Sequence, residues 1–138
     1  VYGDLDMVTD HRTKHRKRVW HGGTFRRYSF QLGWVPPHPA FYMRRHVAES
    51  VGDYDLSYIT TADYDYMLRA LALHDFRVRY LPRVFVDFQI GGISTSGLGV
   101  TIRGNLECLR SRREHLNAWP IDAAFFLRFA RRIFQIRA

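Results

Sequence analysis

The apolar positions follow a strand pattern at the start of the chain and a helical pattern further on. Residues 1–20 contain two apolar runs around a polar and basic stretch, which predicts a β-hairpin. Residues 60–74 repeat apolar side chains at helical spacing among good helix formers, so we expect the clearest helix of the chain there. A shorter helix is expected over 44–51, where Gly52 ends it.

Glycine and proline interrupt the remaining pattern and divide it into short elements. We expect helices over 25–32, over 100–116 and from residue 121 or 122 to the end, an extended loop over 36–39, and strands over 40–43, 77–81 and 84–90. Pro82 separates the last two predicted strands. Because short strands and helices alternate without an internal repeat, the pattern predicts an α/β or α+β protein.

The composition is that of an ordinary globular domain with excess positive charge. The 138 residues include 21 Lys and Arg against 13 Asp and Glu, a formal net charge of +8, and 46% are apolar. This excludes a disordered or collagen-like chain. The single cysteine, Cys108, excludes an internal disulfide framework and is expected in the core. The positive charge suits nucleic acid, an anionic membrane surface or a phosphate-bearing substrate.

Asp63 is the most informative candidate for chemistry. A carboxylate at the start of a helix is favoured in its ionised form by the helix dipole, and this suits a general base. The alternative is a structural role, with Thr60 as N-cap in a Thr-x-x-Asp capping box, and the residues alone favour this alternative. Asp65 is positioned to pair with Arg69, four residues later, as a solvent-exposed helix pair.

Five short motifs follow one another along residues 1–95. In chain order they are Tyr2-Gly3-Asp4, Pro37-His38-Pro39-Ala40-Phe41 with Arg44-Arg45, Gly52-Asp53-Tyr54-Asp55, Ala62-Asp63-Tyr64-Asp65-Tyr66-Met67-Leu68-Arg69, and Gly91-Gly92-Ile93-Ser94. Together they resemble the second half of family 2 glycosyltransferases, in particular bacterial enzymes of polysaccharide and colanic-acid-type assembly. Each motif alone is common, and only the ordered combination is specific. The resemblance implies a partial GT-A (Rossmann-like) α/β domain, the acceptor-side half, followed by C-terminal helices.

The resemblance also implies a reaction and its participants. A sugar passes, with inversion, from a nucleotide diphosphosugar donor to a hydroxyl of a saccharide or lipid-linked acceptor. Asp63 takes the position of the family's general base, while the acidic residue that precedes this base in the family's motif is Ala62 here. We expect substrate-binding roles for His38, Asp4, Asp65, Arg69, Gly91, Gly92 and Ser94. Two alternatives stay open: His38 as a structural residue that closes its loop, and Gly91-Gly92-Ile93-Ser94 as a plain turn.

A divalent metal, Mn²⁺ or Mg²⁺, is implied for the full-length enzyme, but this chain is expected to contain none of its ligands. The family's Asp-x-Asp motif and nucleotide-binding strands lie upstream of the first motif, and hence before Val1. We therefore expect the chain to be a fragment that lacks the nucleotide-binding half. Asp4-Leu5-Asp6 matches the Asp-x-Asp string, but its order along the chain indicates a different element, a carboxylate near the sheet edge.

The chain divides into an acceptor-side half (1–95), a helical extension (96–118) and a basic amphipathic helix (119–138). The last helix is suited to an anionic membrane surface or to packing on the protein, and both interpretations stay open. The resemblance implies a cytoplasmic location, peripheral at the inner face of the plasma membrane. The alternative function is a basic nucleic-acid-binding or membrane-binding module without catalysis. No known nucleic-acid-binding signature is present, so nucleic acid is not an expected partner.

Overall fold

The hairpin expected over residues 1–20 is present and supplies two strands of a mixed sheet. In the computed structural model, β1 (Tyr2–Val8) pairs antiparallel with β2 (Arg16–Trp20) and parallel with β3 (Tyr80–Gln89). β1 is therefore the central strand of the described three-stranded sheet, whose order is β2-β1-β3. A parallel pair requires a long crossover, and the helical segments between β2 and β3 supply it. The structure describes residues 1–9, 12, 15–90, 98–118 and 123–127.

One strand replaces the two that were predicted on either side of Pro82. β3 runs through this proline because it lies at an edge of the described sheet, where a missing N–H is tolerated. The pairing with β1 is also irregular there: Tyr2 lies opposite Tyr80, and Asp4 lies opposite Val84. Two steps along β1 thus match four along β3, and this bulge accommodates Pro82.

The helices predicted over 44–51 and 60–74 are present. α1 (Arg45–Val51) ends at Gly52, whose φ of 81° is a left-handed value that strains other residues. α2 (Ala62–Leu68) continues into a π-helical turn, Arg69–Leu73, so the predicted helix over 60–74 is confirmed in two parts. α3 (Leu98–Leu116) agrees with the helix predicted over 100–116.

Two predicted elements are shorter than the sequence pattern indicates, and the loop predicted to be extended contains a turn. The predicted helix over 25–32 is only the 3₁₀ turn Phe30–Leu32, since Gly33 with φ of 73° ends it. The proline-rich loop contains a 3₁₀ turn, His38–Ala40, because proline fits the first positions of a helical turn. The strand predicted over 40–43 is a single antiparallel bridge between Tyr2 and Phe41. Of the predicted C-terminal helix, only residues 123–127 are described, and they are helical.

The main core lies between the sheet, α2 and α3. Its buried members are Tyr2, Phe30, Trp34, Tyr64, Met67, Leu68, Leu71 and Cys108. Cys108 comes from α3 and confirms the core position predicted for it. Next to it, the fully buried Arg112 donates from Nη1 to the Tyr64 hydroxyl at 3.1 Å. The segments 1–95 and 96–118 therefore share one core. Within the described ranges, no helix combines the length and apolar character needed to cross a membrane.

Candidate active site

Asp63 and His38, which the sequence analysis selected separately, face each other in the structure. His38 Nδ1 lies 3.6 Å from Asp63 Oδ2, with His38 on the 3₁₀ turn and Asp63 in the first turn of α2. This separation fits a charge pair but is too long for a hydrogen bond. The two side chains are 46% and 41% exposed, so a molecule in solution reaches both.

One oxygen of Asp63 is held by the protein and the other is open. Oδ1 accepts a hydrogen bond from the backbone N–H of Tyr64 at 2.8 Å. Oδ2 accepts no hydrogen bond from the part of the chain that the structure describes. A half-exposed carboxylate with one fixed and one open oxygen is suited to accept a proton from a bound hydroxyl.

The start of α2 is held by a carboxylate from α3, and the predicted capping box is wrong. The N-cap residue is Thr61, not Thr60, and its side chain makes no cap hydrogen bond. Both threonine hydroxyls donate to Glu107 Oε2 instead, at 2.9 Å from Thr60 and 3.0 Å from Thr61. Glu107 also accepts from the backbone N–H groups of Thr60, at 2.9 Å, and of Ile59, at 3.3 Å.

The same hydrogen bonds keep Glu107 ionised. Burial raises the pKa of Glu107, but the four donors lower it by more, so the pKa lies below its ordinary value of 4.5. The sequence analysis missed Glu107, because its hydroxyl partners Thr60 and Thr61 lie 47 and 46 residues earlier in the chain. Within its own helix it is an unremarkable polar position.

Asp65 was expected to lie in solvent, but it is 1% exposed. Its Oδ1 accepts from Ser111 Oγ at 2.8 Å and lies 3.0 Å from His115 Nε2, and its Oδ2 accepts from Arg69 Nε at 2.9 Å. The prediction of a solvent-exposed pair with Arg69 is wrong because α3 covers this face of α2. Arg69 also donates to the carbonyl oxygens of Val51 and Asp53. These contacts support a structural role for the pair in place of the predicted substrate-binding one.

Asp4 lies on the central strand, so the expectation of a carboxylate near the sheet edge is wrong. Its Oδ1 accepts from the Tyr80 hydroxyl at 2.6 Å and from the Gly22 N–H at 2.9 Å, and its Oδ2 lies 3.2 Å from His21 Nδ1. Burial raises the pKa of Asp4, but these three donors outweigh it, and the pKa lies below the ordinary 3.8. Asp4 thus ties β1 to β3 and to the segment after β2, which favours a structural role over substrate binding.

The other expected site residues are Gly91, Gly92 and Ser94, and they fall outside the described residues. Among the residues that are described, no three His, Cys, Asp or Glu side chains come together in a way that could hold a metal ion. Asp6, in the Asp-x-Asp string, pairs through Oδ2 with Arg16 at 2.7 Å. The described residues therefore supply no set of ligands that fits the divalent metal.

Tyr54 is a further residue near the site that the sequence analysis did not select. Its ring is 44% exposed and stacks on Tyr66, with 4.2 Å between ring centroids and an interplanar angle of 12°. Burial raises the pKa of the Tyr54 hydroxyl, and the charges of Tyr66 and Asp63 raise it further. The sequence signal that could have identified Tyr54 was its position in the third motif, Gly52-Asp53-Tyr54-Asp55.

Four of the five sequence motifs are joined by direct contacts. Tyr2 in the first forms a bridge with Phe41 in the second, and His38 in the second faces Asp63 in the fourth. The third joins the fourth where Arg69 Nη2 donates to the carbonyl oxygen of Asp53 at 2.7 Å. Motifs that are separate in the chain are thus linked in the structure, and one of these contacts involves the exposed carboxylate of Asp63. No protein-family model, curated protein or solved structure matches this chain.

Proposed function

We propose that the chain is the acceptor-side part of a GT-A-type glycosyltransferase. The enzyme transfers a sugar, with inversion, from a nucleotide diphosphosugar to a hydroxyl of a saccharide or lipid-linked acceptor. The observation that carries this proposal is the open Oδ2 of Asp63 with His38 Nδ1 at 3.6 Å. The contacts among the four motifs support it, because they join the segments that the resemblance selects into one part of the fold.

Asp63 acts as the general base in this proposal. The acceptor hydroxyl donates a hydrogen bond to Oδ2, and its oxygen attacks the anomeric carbon from the face opposite the diphosphate. The new C–O bond forms while the bond from the anomeric carbon to the diphosphate oxygen breaks. The proton passes to Asp63 and the electron pair leaves with the nucleoside diphosphate. A positioned base contributes about 10²–10⁴-fold to such a step.

His38 is suited to hold the acceptor beside that base. Its imidazole is 46% exposed and lies next to Oδ2, so a hydroxyl bound to Asp63 comes within reach of a ring nitrogen. The rigid Pro37-His38-Pro39 sequence restricts where the ring is placed, which favours a fixed orientation of the acceptor.

Tyr54 supplies a surface for the acceptor sugar. The outer face of its ring is open, since Tyr66 covers the other face. Sugar rings present a C–H face that packs on aromatic rings, and the adjacent hydroxyls point outward to polar partners. In this proposal a pyranose packs on Tyr54 while one of its hydroxyls binds Asp63.

The test is Asp63→Asn in the full-length protein. Nucleoside diphosphate release is measured over a panel of UDP-, GDP- and dTDP-sugars with oligosaccharide and polyprenyl-phosphate-linked acceptors. We expect a loss of at least about 100-fold, because asparagine cannot take the proton. Asp75→Asn is the matched control, since Asp75 is a 96% exposed carboxylate on the surface. Transfer at the control's rate by Asp63→Asn would contradict the proposal.

Two parts of the proposal concern residues and groups outside the described site. The divalent metal that the resemblance implies has no ligand set among the described residues; if bound elsewhere in the enzyme, it would supply positive charge beside the diphosphate. Binding of the basic helix that the sequence predicts over 119–138 to an anionic surface at the inner face of the plasma membrane also stays a prediction. Loss of liposome binding on removal of residues 119–138 is the expected result, and unchanged binding would contradict it.

A further inference from the structure

We propose that Glu107 is a positioning residue for Asp63. By this proposal its carboxylate, which lies on α3, fixes the first turn of α2 so that the open oxygen of Asp63 meets the acceptor hydroxyl. The inference rests on the proposed role of Asp63 as the base, and it concerns a helix that lies outside the sequence resemblance.

The first observation is the concentration of hydrogen bonds on this one carboxylate. Glu107 accepts from two backbone N–H groups and two hydroxyl groups of residues 59–61, at 2.9–3.3 Å. Thr61, the N-cap residue of α2, lies two residues before Asp63 and makes no side-chain cap bond to its own helix. The backbone that leads into Asp63 is therefore held by side-chain bonds from α3, in addition to the N–H of Asp65 in α2, which donates to the Thr61 carbonyl oxygen at 3.1 Å.

The second observation is how closely α3 approaches this turn. A Cβ atom added at Gly104 would lie 3.5 Å from Thr60 Oγ1 and 3.5 Å from Thr61 Cγ2, which is ordinary van der Waals contact. Glu107 is one helical turn further along α3 and faces the same two threonines. α3 therefore contacts Thr60 and Thr61 both by close packing at Gly104 and by the charged hydrogen bonds of Glu107. Together these contacts restrict movement of the first turn of α2 along the surface of α3.

Other residues on the same face of α3 hold α2 and the segment before it independently of Glu107. Glu114 Oε2 accepts from the Tyr58 hydroxyl at 2.7 Å, and Arg110 donates to Ser57 Oγ at 3.1 Å. Ser111 and His115 contact the buried carboxylate of Asp65. Because these contacts remain when Glu107 is replaced, we expect its loss to loosen the first turn of α2 without detaching the helix.

Glu107 does not take part in the chemistry itself. It has no hydrogen bond or ion pair with Asp63 or His38, and its contacts are with residues 59–61. It acts through the position of the backbone. A displacement of about 1 Å at a catalytic group costs on the order of 100-fold in rate, so a loosened first turn is visible in kcat.

The experiment compares Glu107→Ala, Glu107→Gln and Glu114→Ala in the full-length protein. Glu107→Ala is expected to lower kcat for sugar transfer by about 10–100-fold, with the KM for the donor unchanged. Glu107→Gln keeps an acceptor oxygen for both threonines and is expected to restore kcat to within about 5-fold of wild type. Glu114→Ala removes a carboxylate from the same helix face and is expected to lower the melting temperature but not kcat.

A readout that does not depend on transfer accompanies the kinetics. Amide hydrogen exchange at residues 60–65 is expected to accelerate in Glu107→Ala and to stay at the wild-type rate in Glu114→Ala. If Glu107→Ala does not fold, Thr61→Val replaces it. Valine keeps the shape of threonine and removes one donor to Glu107, and a several-fold fall in kcat is then expected.

The outcomes separate this inference from the proposed function. Retained transfer in Asp63→Asn would overturn the role of Asp63, and the positioning inference with it. Loss of transfer in Asp63→Asn together with wild-type kcat in Glu107→Ala would overturn only the positioning inference. Equal losses of kcat in Glu107→Ala and Glu114→Ala would also overturn it, because they would indicate a merely structural effect of α3.

Discussion

Asp63 and Asp65 are two residues apart in α2, yet the side chain of the first is 41% exposed and that of the second is 1% exposed. Positions two apart on a helix point in nearly opposite directions, so one carboxylate faces solvent and the other faces α3. The two aspartates of the fourth motif therefore differ in role. Asp63 is open to a ligand, and Asp65 anchors the helix that carries it.

Asp65→Asn should destabilise the fold strongly. The change removes the charge that faces Arg69, whose side chain is only 16% exposed, and it weakens the contacts with Ser111 and His115. Breaking one partner of a buried ion pair costs about 3–5 kcal/mol. Urea denaturation measures this as a fall in the free energy of unfolding. Asp75→Asn is the control, and we expect it to change the free energy of unfolding by no more than about 0.5 kcal/mol. An equally small change in Asp65→Asn would contradict the prediction.

The protein should lose stability in acid below about pH 4.5. The pKa values of Asp4, Glu107 and Glu114 are lowered in the folded state, so these carboxylates stabilise the fold fully above their unfolded pKa values. This stabilisation is lost as the pH falls through the folded values. Melting temperatures between pH 3 and pH 7 measure it. Glu107→Gln should show a shallower decline than wild type, and an equally steep decline would exclude a contribution from Glu107.

Phe30→Ala should be among the most damaging apolar substitutions. Phe30 is fully buried, and its ring makes edge contacts with Trp34 and Tyr64, whose centroids are both 5.6 Å away. Removing a buried phenylalanine costs about 3–5 kcal/mol, because a cavity remains. Leu32→Ala in the same 3₁₀ turn is the matched control, since Leu32 is 40% exposed and should cost much less. Equal losses in thermal melts would contradict the assigned core.

Tyr54→Ala should raise the KM for the acceptor, while kcat at saturating acceptor changes little. The ring offers its contact area in the ground state and the transition state alike, so its loss weakens binding without slowing the chemical step. Tyr54→Phe keeps the ring and should retain the wild-type KM. Initial rates at varied acceptor concentration distinguish the two variants. An unchanged KM in Tyr54→Ala would remove the sugar-stacking role.

The sequence predicted the elements whose signals are local. The hairpin, α1 and α2 rest on short apolar patterns and on Gly52, and all three are present. The interruption at Pro82 was misinterpreted, because whether a strand tolerates proline depends on its place in the sheet. Whether a strand lies at the edge or in the centre of a sheet cannot be predicted from the residues of that strand alone.

The candidate site shows the same limit at the level of side chains. His38 and Asp63 were both selected as single residues, but no spacing rule predicts that they meet. Asp65 was misassigned to the surface because Ser111, 46 residues later, provides its cover. No sequence pattern indicated Glu107, because its hydrogen bonds to the residues before α2 form only when α3 packs beside them.

The position of β1 has a consequence for synthesis of the protein. β1 occupies the middle of the described sheet, but its parallel partner β3 begins only at Tyr80. On a ribosome that adds about 5–20 residues per second, β1 and β2 leave the exit tunnel as a hairpin seconds before β3 is available. During that interval the backbone N–H and C=O groups of β1 that pair with β3 in the folded protein have no strand partner. A nascent chain at this stage is therefore the species most exposed to mispairing with a neighbour.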